Sequence, residues 1–318
     1  MNVLVTGGAG YIGSVVAARL LGAGHEVTVV DDLSTGHRDA VPDGARFVPG
    51  RVQQVSSMLD LRAFDGAVHL AASSLVAESI TDPQKYETNN VGGTRQLLEA
   101  LHTAGVPKIV FSSSAAVYGE PARVPIEEDA PTEPLNPYGA SKLAVDRMLD
   151  EEAARHGIAA VSLRYFNVAG SYATLGERHD PETHLIPLTL RAALEGRPVD
   201  VFGDNYPTPD GTCIRDYIHV IDIADAHLLA LGAASPGTWR AYNLGNGEGF
   251  SVRQVIAAAR SVTGLQLSES VTGRRAGDPA VLVASSARAR RELSWKPGTP
   301  ALEEMVDDAW RFLQRSQR

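Results

Sequence analysis

The chain has 318 residues, 44% of them hydrophobic, which is enough for one large domain or two smaller ones with a genuine core. A formal net charge of −9 argues against nucleic acid or an anionic membrane surface as partner. The single cysteine, Cys213, excludes an internal disulfide, and no apolar run is long enough to span a bilayer. With an N-terminus that enters a strand at once and leaves no room for a leader, the expectation is a soluble, cytoplasmic protein.

Residues 2–6, Asn-Val-Leu-Val-Thr, read as a short buried strand. Gly7, Gly8, Gly10 and Gly13 follow, and helical spacing resumes over 14–22 with Val15, Val16 and Leu20. Glycines between a strand and a helix allow a tight turn and close backbone approach to a pyrophosphate, which rests on the helix N-terminus. A second strand over 26–30 ends at Asp31-Asp32, and Asp31 lies 18 residues past Gly13. A carboxylate at that spacing accepts hydrogen bonds from ribose hydroxyls and repels a 2′-phosphate, so NAD is expected rather than NADP.

Further along, 67–72 reads as strand, 89–103 as helix, 108–111 as strand, 141–155 as helix and 159–165 as strand. This alternation predicts an α/β fold, a Rossmann-type doubly wound parallel sheet covered on both faces by helices. Beyond it the pattern is more irregular, with Pro and Gly concentrated over 203–211 and a second loop-rich region over 242–249. We expect an NAD-binding domain over 1–168 and a smaller, mixed α/β substrate-binding domain over 169–318, with 214–244 folding back on the first.

Tyr138 and Lys142 are four apart and share one helix face. A lysine cation about 5 Å from a phenol, at an effective dielectric of ~20, favours the phenolate by roughly 3 kcal/mol. The expected result is a tyrosine base with a lowered pKa, poised for general acid–base work. The serine run Ser112-Ser113-Ser114 lies 24 residues before Tyr138 when counted from Ser114.

On these residues the chain resembles the extended short-chain dehydrogenase/reductases and, within them, the UDP-glucose (UDP-galactose) 4-epimerases. The resemblance runs over nearly the whole chain and is carried by 6–13 (Thr-Gly-Gly-Ala-Gly-Tyr-Ile-Gly), 111–119 (Phe-Ser-Ser-Ser-Ala-Ala-Val-Tyr-Gly), 137–142 (Pro-Tyr-Gly-Ala-Ser-Lys), 163–167 (Leu-Arg-Tyr-Phe-Asn) and 210–220. It implies that Tyr138 is base and acid for the sugar 4-hydroxyl, that Ser114 hydrogen-bonds the same oxygen, and that Lys142 holds the nicotinamide ribose. The 4-hydride passes to NAD, the 4-keto sugar turns over about its pyrophosphate tether, and the hydride returns to the other face.

By the same matching, NAD is expected against Gly7, Gly10, Tyr11, Ile12, Gly13, Asp31, Asp32, Leu33, Ser34, Arg51, Val52, Leu70, Ala71, Ala72, Asn89, Ser112, Tyr138, Lys142 and Phe166. The UDP-sugar is expected against Ser114, Tyr138, Asn167, His184, Leu185, Phe202, Tyr206, Arg215, Arg275 and Asp278. No metal ligands are read. A homodimer through helices near 90–104 and 139–155 is implied.

Some positions depart from the family pattern. Arg51 stands where many members have an aspartate for the adenine amine, and it can stack on adenine instead. Ser73-Ser74 replaces a basic residue near the nicotinamide ribose. His184 stands before Leu185, where it hydrogen-bonds a phosphate or lies on the surface. Leu282 is near the position that sets room for a sugar 2-substituent. Ala115 and Ala116 replace the Asp-Glu pair that a sugar-nucleotide dehydratase needs. UDP-glucuronate or a UDP-N-acetylhexosamine stays open as the substrate of a 4-epimerase. A non-catalytic NAD-sensing protein is the reading from another class, and the retention of Ser114, Tyr138 and Lys142 together opposes it.

Overall fold

The computed structural model describes residues 1–275 and 278–316. Strands β1 (Asn2–Thr6), β2 (Glu26–Asp31), β3 (Arg46–Pro49), β4 (Gly66–His69), β5 (Lys108–Ser112) and β6 (Ala159–Tyr165) form one parallel sheet with a seventh strand, Trp239–Leu244. The spatial order is seventh strand, β6, β5, β4, β1, β2, β3. The order reverses between β1 and β4, and the carboxyl ends of those strands open a crevice there, which is where an open α/β sheet takes its ligand.

The side-chain period of two along a strand explains the layering. Val3 and Val5 enter one apolar cluster with Val15, Val16, Leu20 and Val29, whereas Leu4 enters the opposite one with Leu97, Leu101, Ile109 and Leu149. β6 is buried at every position, as a strand covered on both faces must be.

Four local expectations are corrected. β4 stops at His69, so Leu70, Ala71 and Ala72 are loop. The His69 imidazole is buried between the Thr6 and Thr94 hydroxyls at 2.6 and 2.8 Å, and burial pushes its pKa down to about 3. The predicted 89–103 helix is a π-helical turn over Glu87–Gly92 followed by an α-helix over Gly93–Ala104. The helix read over 141–155 begins at Pro137, with the Asn136 side chain accepting from the Gly139 N–H at 2.8 Å. Asn at N-cap and Pro at N1 is an ordinary helix start that the reading passed over. Finally, Tyr242–Leu244 is not loop: it ends the seventh strand.

The remaining elements form a third apolar cluster. Helices Leu185–Glu195, Val252–Thr263 and Leu302–Ser316 meet around Leu190, Ile256, Met305 and Val306, beside the parallel pair Val199–Phe202 and Glu269–Thr272. Between these pieces the chain crosses back. Tyr217–His219 pairs with Asn167–Ala169, helix Val220–Ala233 packs on helix Tyr11–Gly22, and Trp239–Leu244 joins β6.

Candidate active site

The glycine turn is shaped by backbone contact. Gly7 has φ +76°, and a Cβ there would lie 2.5 Å from the Ala71 backbone nitrogen, so the loops after β1 and β4 can meet only through a glycine. Gly10 is the N-cap of helix Tyr11–Gly22 and lends no side chain to the first-turn N–H groups. Tyr11, Ile12 and Gly13 lie in that first turn. The arrangement fits a pyrophosphate on an uncapped helix N-terminus.

At the end of β2, Asp31 accepts from the Leu33 N–H at 2.9 Å and the Ala9 N–H at 3.0 Å. These bonds orient its carboxylate and leave lone pairs for ribose hydroxyls. Burial raises the Asp31 pKa, and the two backbone bonds oppose that rise. Leu33 takes φ +58° and Asp32 accepts from the Ser34 N–H at 2.9 Å, which curls this loop round the crevice edge. Arg51, just before Val52, lies 3.6 Å from Asp32 across the same edge. The fit to NAD is therefore good. Asp31→Asn is expected to weaken NAD binding by about tenfold, ~1.4 kcal/mol, in a calorimetric titration. An unchanged affinity would remove Asp31 from the ribose site.

The catalytic candidates come together beyond β5. Ser114 caps the short 3₁₀ turn Ala115–Val117, its hydroxyl accepting from the Ala116 N–H at 3.1 Å. Gly139 lies flush against the Ala116 carbonyl, and a side chain there would collide with it. That close approach brings Tyr138, the second residue of its helix, to hydrogen-bonding reach of Ser114. Lys142, one turn on, is 3% exposed and donates to the Ser112 carbonyl at 2.7 Å. The Ser112 hydroxyl meets the Tyr165 hydroxyl.

One electrostatic expectation is reversed. Burial raises the Tyr138 pKa, with the Ser114 hydrogen bond pulling the other way. Lys142 Nζ is 5.8 Å from the Tyr138 ring centre and is directed at Ser112. Its own pKa is pushed by burial down to about 8, against the pull of Asp146. Helical spacing placed the pair on one face but could not give the direction of the ammonium. Behind them Asp146 accepts from Arg164 at 2.9 Å, and Arg164 also donates to the Tyr118 hydroxyl at 2.9 Å, which ties the catalytic helix to β6.

A second constellation gathers residues far apart in sequence. Arg215 pairs with Asp278, and Arg275 stacks on Phe202 with its guanidinium carbon 3.7 Å from the ring centre. Arg274 stacks likewise on Tyr206 at 4.1 Å, and the buried Tyr206 hydroxyl has no hydrogen-bond partner among the described residues. Two guanidinium groups on aromatic faces beside an Arg–Asp pair suit a flat base, a ribose and a diphosphate. Asn167 accompanies them on the strand paired with Tyr217–His219, Phe166 packs near Leu143 and Leu282, and Leu185 opens the helix Leu185–Glu195.

A model of NAD dependent epimerases and dehydratases matches residues 3–245. The chain belongs to the NAD dependent epimerase/dehydratase family. It is 52% identical over 314 residues to a UDP-glucose 4-epimerase of Corynebacterium glutamicum, covering 98% of this chain and 95% of that one. A UDP-glucose 4-epimerase from Brucella ovis, solved in complex with NAD, is 43% identical with a TM-score of 0.92, covering 98% of each chain. One from Bifidobacterium longum, solved with NAD+ and UDP, is 34% identical with a TM-score of 0.92, covering 100% of this chain and 99% of that one.

Within this epimerase/dehydratase frame His184 takes one of the two roles read for it, a satisfied surface histidine, and other residues were passed over. His184, read as a phosphate contact or a surface group, is held 2.8 Å from both Glu177 and Glu182. Burial alone would lower its pKa, but the two carboxylates outweigh that and raise it to about 10. Asn89, expected against NAD, donates to the Ser73 hydroxyl at 3.2 Å. Its neighbour Asn90 was missed. It accepts from the Ser73 N–H at 2.8 Å and donates to Ser141 at 2.9 Å, tying the loop after β4 to the catalytic helix. Two asparagines inside a helical pattern were the available signal, since that residue type is a poor helix former. Arg274 was missed as well, although it adjoins Arg275.

Proposed function

We propose that this chain interconverts UDP-galactose and UDP-glucose by NAD-dependent 4-epimerisation through a transient 4-keto sugar. The observation that carries the reading is Tyr138 beside Ser114 and one turn from Lys142, with alanines at 115 and 116 where elimination would need acids. NAD held by the glycine turn and Asp31 would supply reversible hydride acceptance at C4 and a ring cation favouring the phenolate that the chain's own burial opposes. Tyr138 takes the 4-hydroxyl proton and gives it back after the ketone has turned over. Ser114 hydrogen-bonds the same oxygen and holds the phenol in line. Lys142, fixed on the Ser112 carbonyl, keeps further ammonium hydrogens that would hold the nicotinamide ribose.

Turnover of the sugar needs a firm grip away from the reacting carbon. Arg215, Asp278, Arg275 with Phe202, and Tyr206 supply it by holding the UDP moiety, while Asn167 and Leu185 border the sugar. The division into an NAD-binding part over 1–168 and a nucleotide-sugar part over 169–318 follows the same logic. From the family resemblance we also propose a cytoplasmic homodimer through helices Gly93–Ala104 and Pro137–His156, which lie side by side with the His102 and His156 rings 4.1 Å apart. Among the described residues no helix is long and apolar enough to cross a membrane.

The test is incubation with UDP-galactose, with and without added NAD, followed by separation of the products. The expected outcome is approach to equilibrium with UDP-glucose and no net reduced cofactor. Accumulation of a ketone with reduced cofactor would replace epimerisation by dehydrogenation. Turnover of UDP-glucuronate or a UDP-N-acetylhexosamine alone would move the substrate assignment.

A further inference from the structure

The loop between strand Asn167–Ala169 and helix Leu185–Glu195 carries Glu177, His179, Glu182 and His184 in the spacing Glu-x-His-x-x-Glu-x-His. One ligand atom from each gathers so that all four lie within 4.8 Å of one another. Both imidazoles turn Nδ1 inward, to 2.7 and 2.8 Å from the same Glu177 oxygen. Glu177 and Glu182 side chains are 8% and 1% exposed. Glu182 Oε1 accepts from the Thr183 and His184 N–H groups at 2.7 and 2.8 Å, whereas Oε2 is buried with no hydrogen-bond partner among the described residues. An ionised carboxylate oxygen left bare in a buried position is costly unless a cation completes it.

We propose that these four residues form a structural site for one divalent transition cation, with Zn²⁺ as the best match. Binding would release to solvent the proton that the two carboxylates hold on His184, leaving two neutral imidazoles and two carboxylates whose charge of −2 a divalent ion cancels. Two nitrogens and two oxygens are a donor set that zinc takes in tetrahedral geometry at ~2.0–2.2 Å. The four ligands lie within eight consecutive residues, so contraction onto an ion requires only local movement. An open cleft of about 180 Å³, lined by Glu177, His179, Asp180 and Phe312 among others, gives access.

The position indicates the role. Between Glu177 and His179, Arg178 donates to both Asp39 oxygens at 2.9 and 2.8 Å, and its carbonyl meets His37 Nε2 at 3.3 Å. Residues 37–39 continue the loop that begins at Asp31. On the other side, His184 is the N-cap of the helix opened by Leu185. The ion therefore staples the connector that joins the edge of the cofactor crevice to the helix bordering the sugar. Nothing in the hydride chemistry requires it.

The test uses tag-free protein, dialysed against chelator and then titrated with ZnCl₂ by calorimetry, with metal content read by mass spectrometry. We expect one Zn²⁺ per chain, a rise in melting temperature on zinc addition, and no comparable effect of MgCl₂. The double variant His179→Gln, His184→Gln should lose more zinc affinity than the ~10–100-fold that removal of an outer-sphere partner causes. Should that variant fail to fold, Co²⁺ added to the unmodified protein gives an independent reading, since visible bands of a tetrahedral ion support the site. Substoichiometric zinc binding by the unmodified protein, zinc retained at equal affinity in the folded double variant, or an octahedral cobalt spectrum would each overturn it.

Discussion

Tyr138→Phe is expected to lower turnover of UDP-galactose by ~10²–10⁴-fold, the range that a positioned general acid–base contributes. NAD affinity and melting temperature should stay at the parent's values. The substitution removes one oxygen and keeps the ring, whose edge-to-face contact with Tyr86, at 6.3 Å between centres, Phe preserves. Tyr86 is in turn fixed by its hydroxyl to the Leu75 carbonyl at 2.5 Å and to Glu78 at 3.0 Å, so the pocket wall does not relax into the space. The interaction lost is the one with Ser114, whose hydroxyl still accepts from the Ala116 N–H at 3.1 Å. Steady-state rates with a parallel NAD titration check the result. A variant within threefold of the parent in kcat would take Tyr138 out of the proton transfer.

The part of the site legible in the sequence is the part built from consecutive residues. The glycine turn, the carboxylate at the end of β2 and the Tyr138–Lys142 pair each lie on one element whose period or turn chemistry fixes their relation. The crevice they share follows from strand order, which the alternation of elements left open beyond a doubly wound parallel sheet. Less was legible where geometry depends on which partner a polar group chooses. Helical spacing says that Lys142 lies under Tyr138. It does not say that the ammonium turns to the Ser112 carbonyl, because that choice depends on how β5 ends.

The same limit left two roles open for His184. A histidine before an apolar helix is compatible with several roles, and only the fold of the 177–184 loop shows that two carboxylates enclose it. The strand over Trp239–Leu244 was hidden for a different reason. Its end, Asn-Leu-Gly-Asn-Gly over 243–247, has the composition of a loop, yet Asn243 is buried and takes Tyr118 and the Ile126 carbonyl as partners. A polar strand end satisfied by long-range hydrogen bonds leaves no local trace. Arg215 was joined to Arg275 and Asp278 only through family motifs, since no period links it to residues 60 and 63 positions away.

Lys142→Met is the second large effect, and it separates activity from stability. Burial lowers the Lys142 pKa from 10.5 to about 8. Because the folded value lies below the unfolded one, the unfolded chain binds more protons between those pH values. The stability linked to this group is present above 10.5 and is lost as pH falls through about 8. At pH 7 the buried ammonium therefore opposes folding by on the order of 3 kcal/mol, offset in part by its bond to the Ser112 carbonyl, worth about 1 kcal/mol. Methionine fills similar space without a charge. The variant should melt at or above the parent at pH 7 and lose the parent's rise in stability above pH 8, while turnover falls by at least ~10²-fold. Melting curves across this pH range, set beside kcat, decide it. A variant that melts lower and keeps the parent's pH slope would show that Lys142 is a structural cation. The expected pattern would instead mark Lys142 as strain retained for its charge beside the reacting groups, where stability is given up for chemistry.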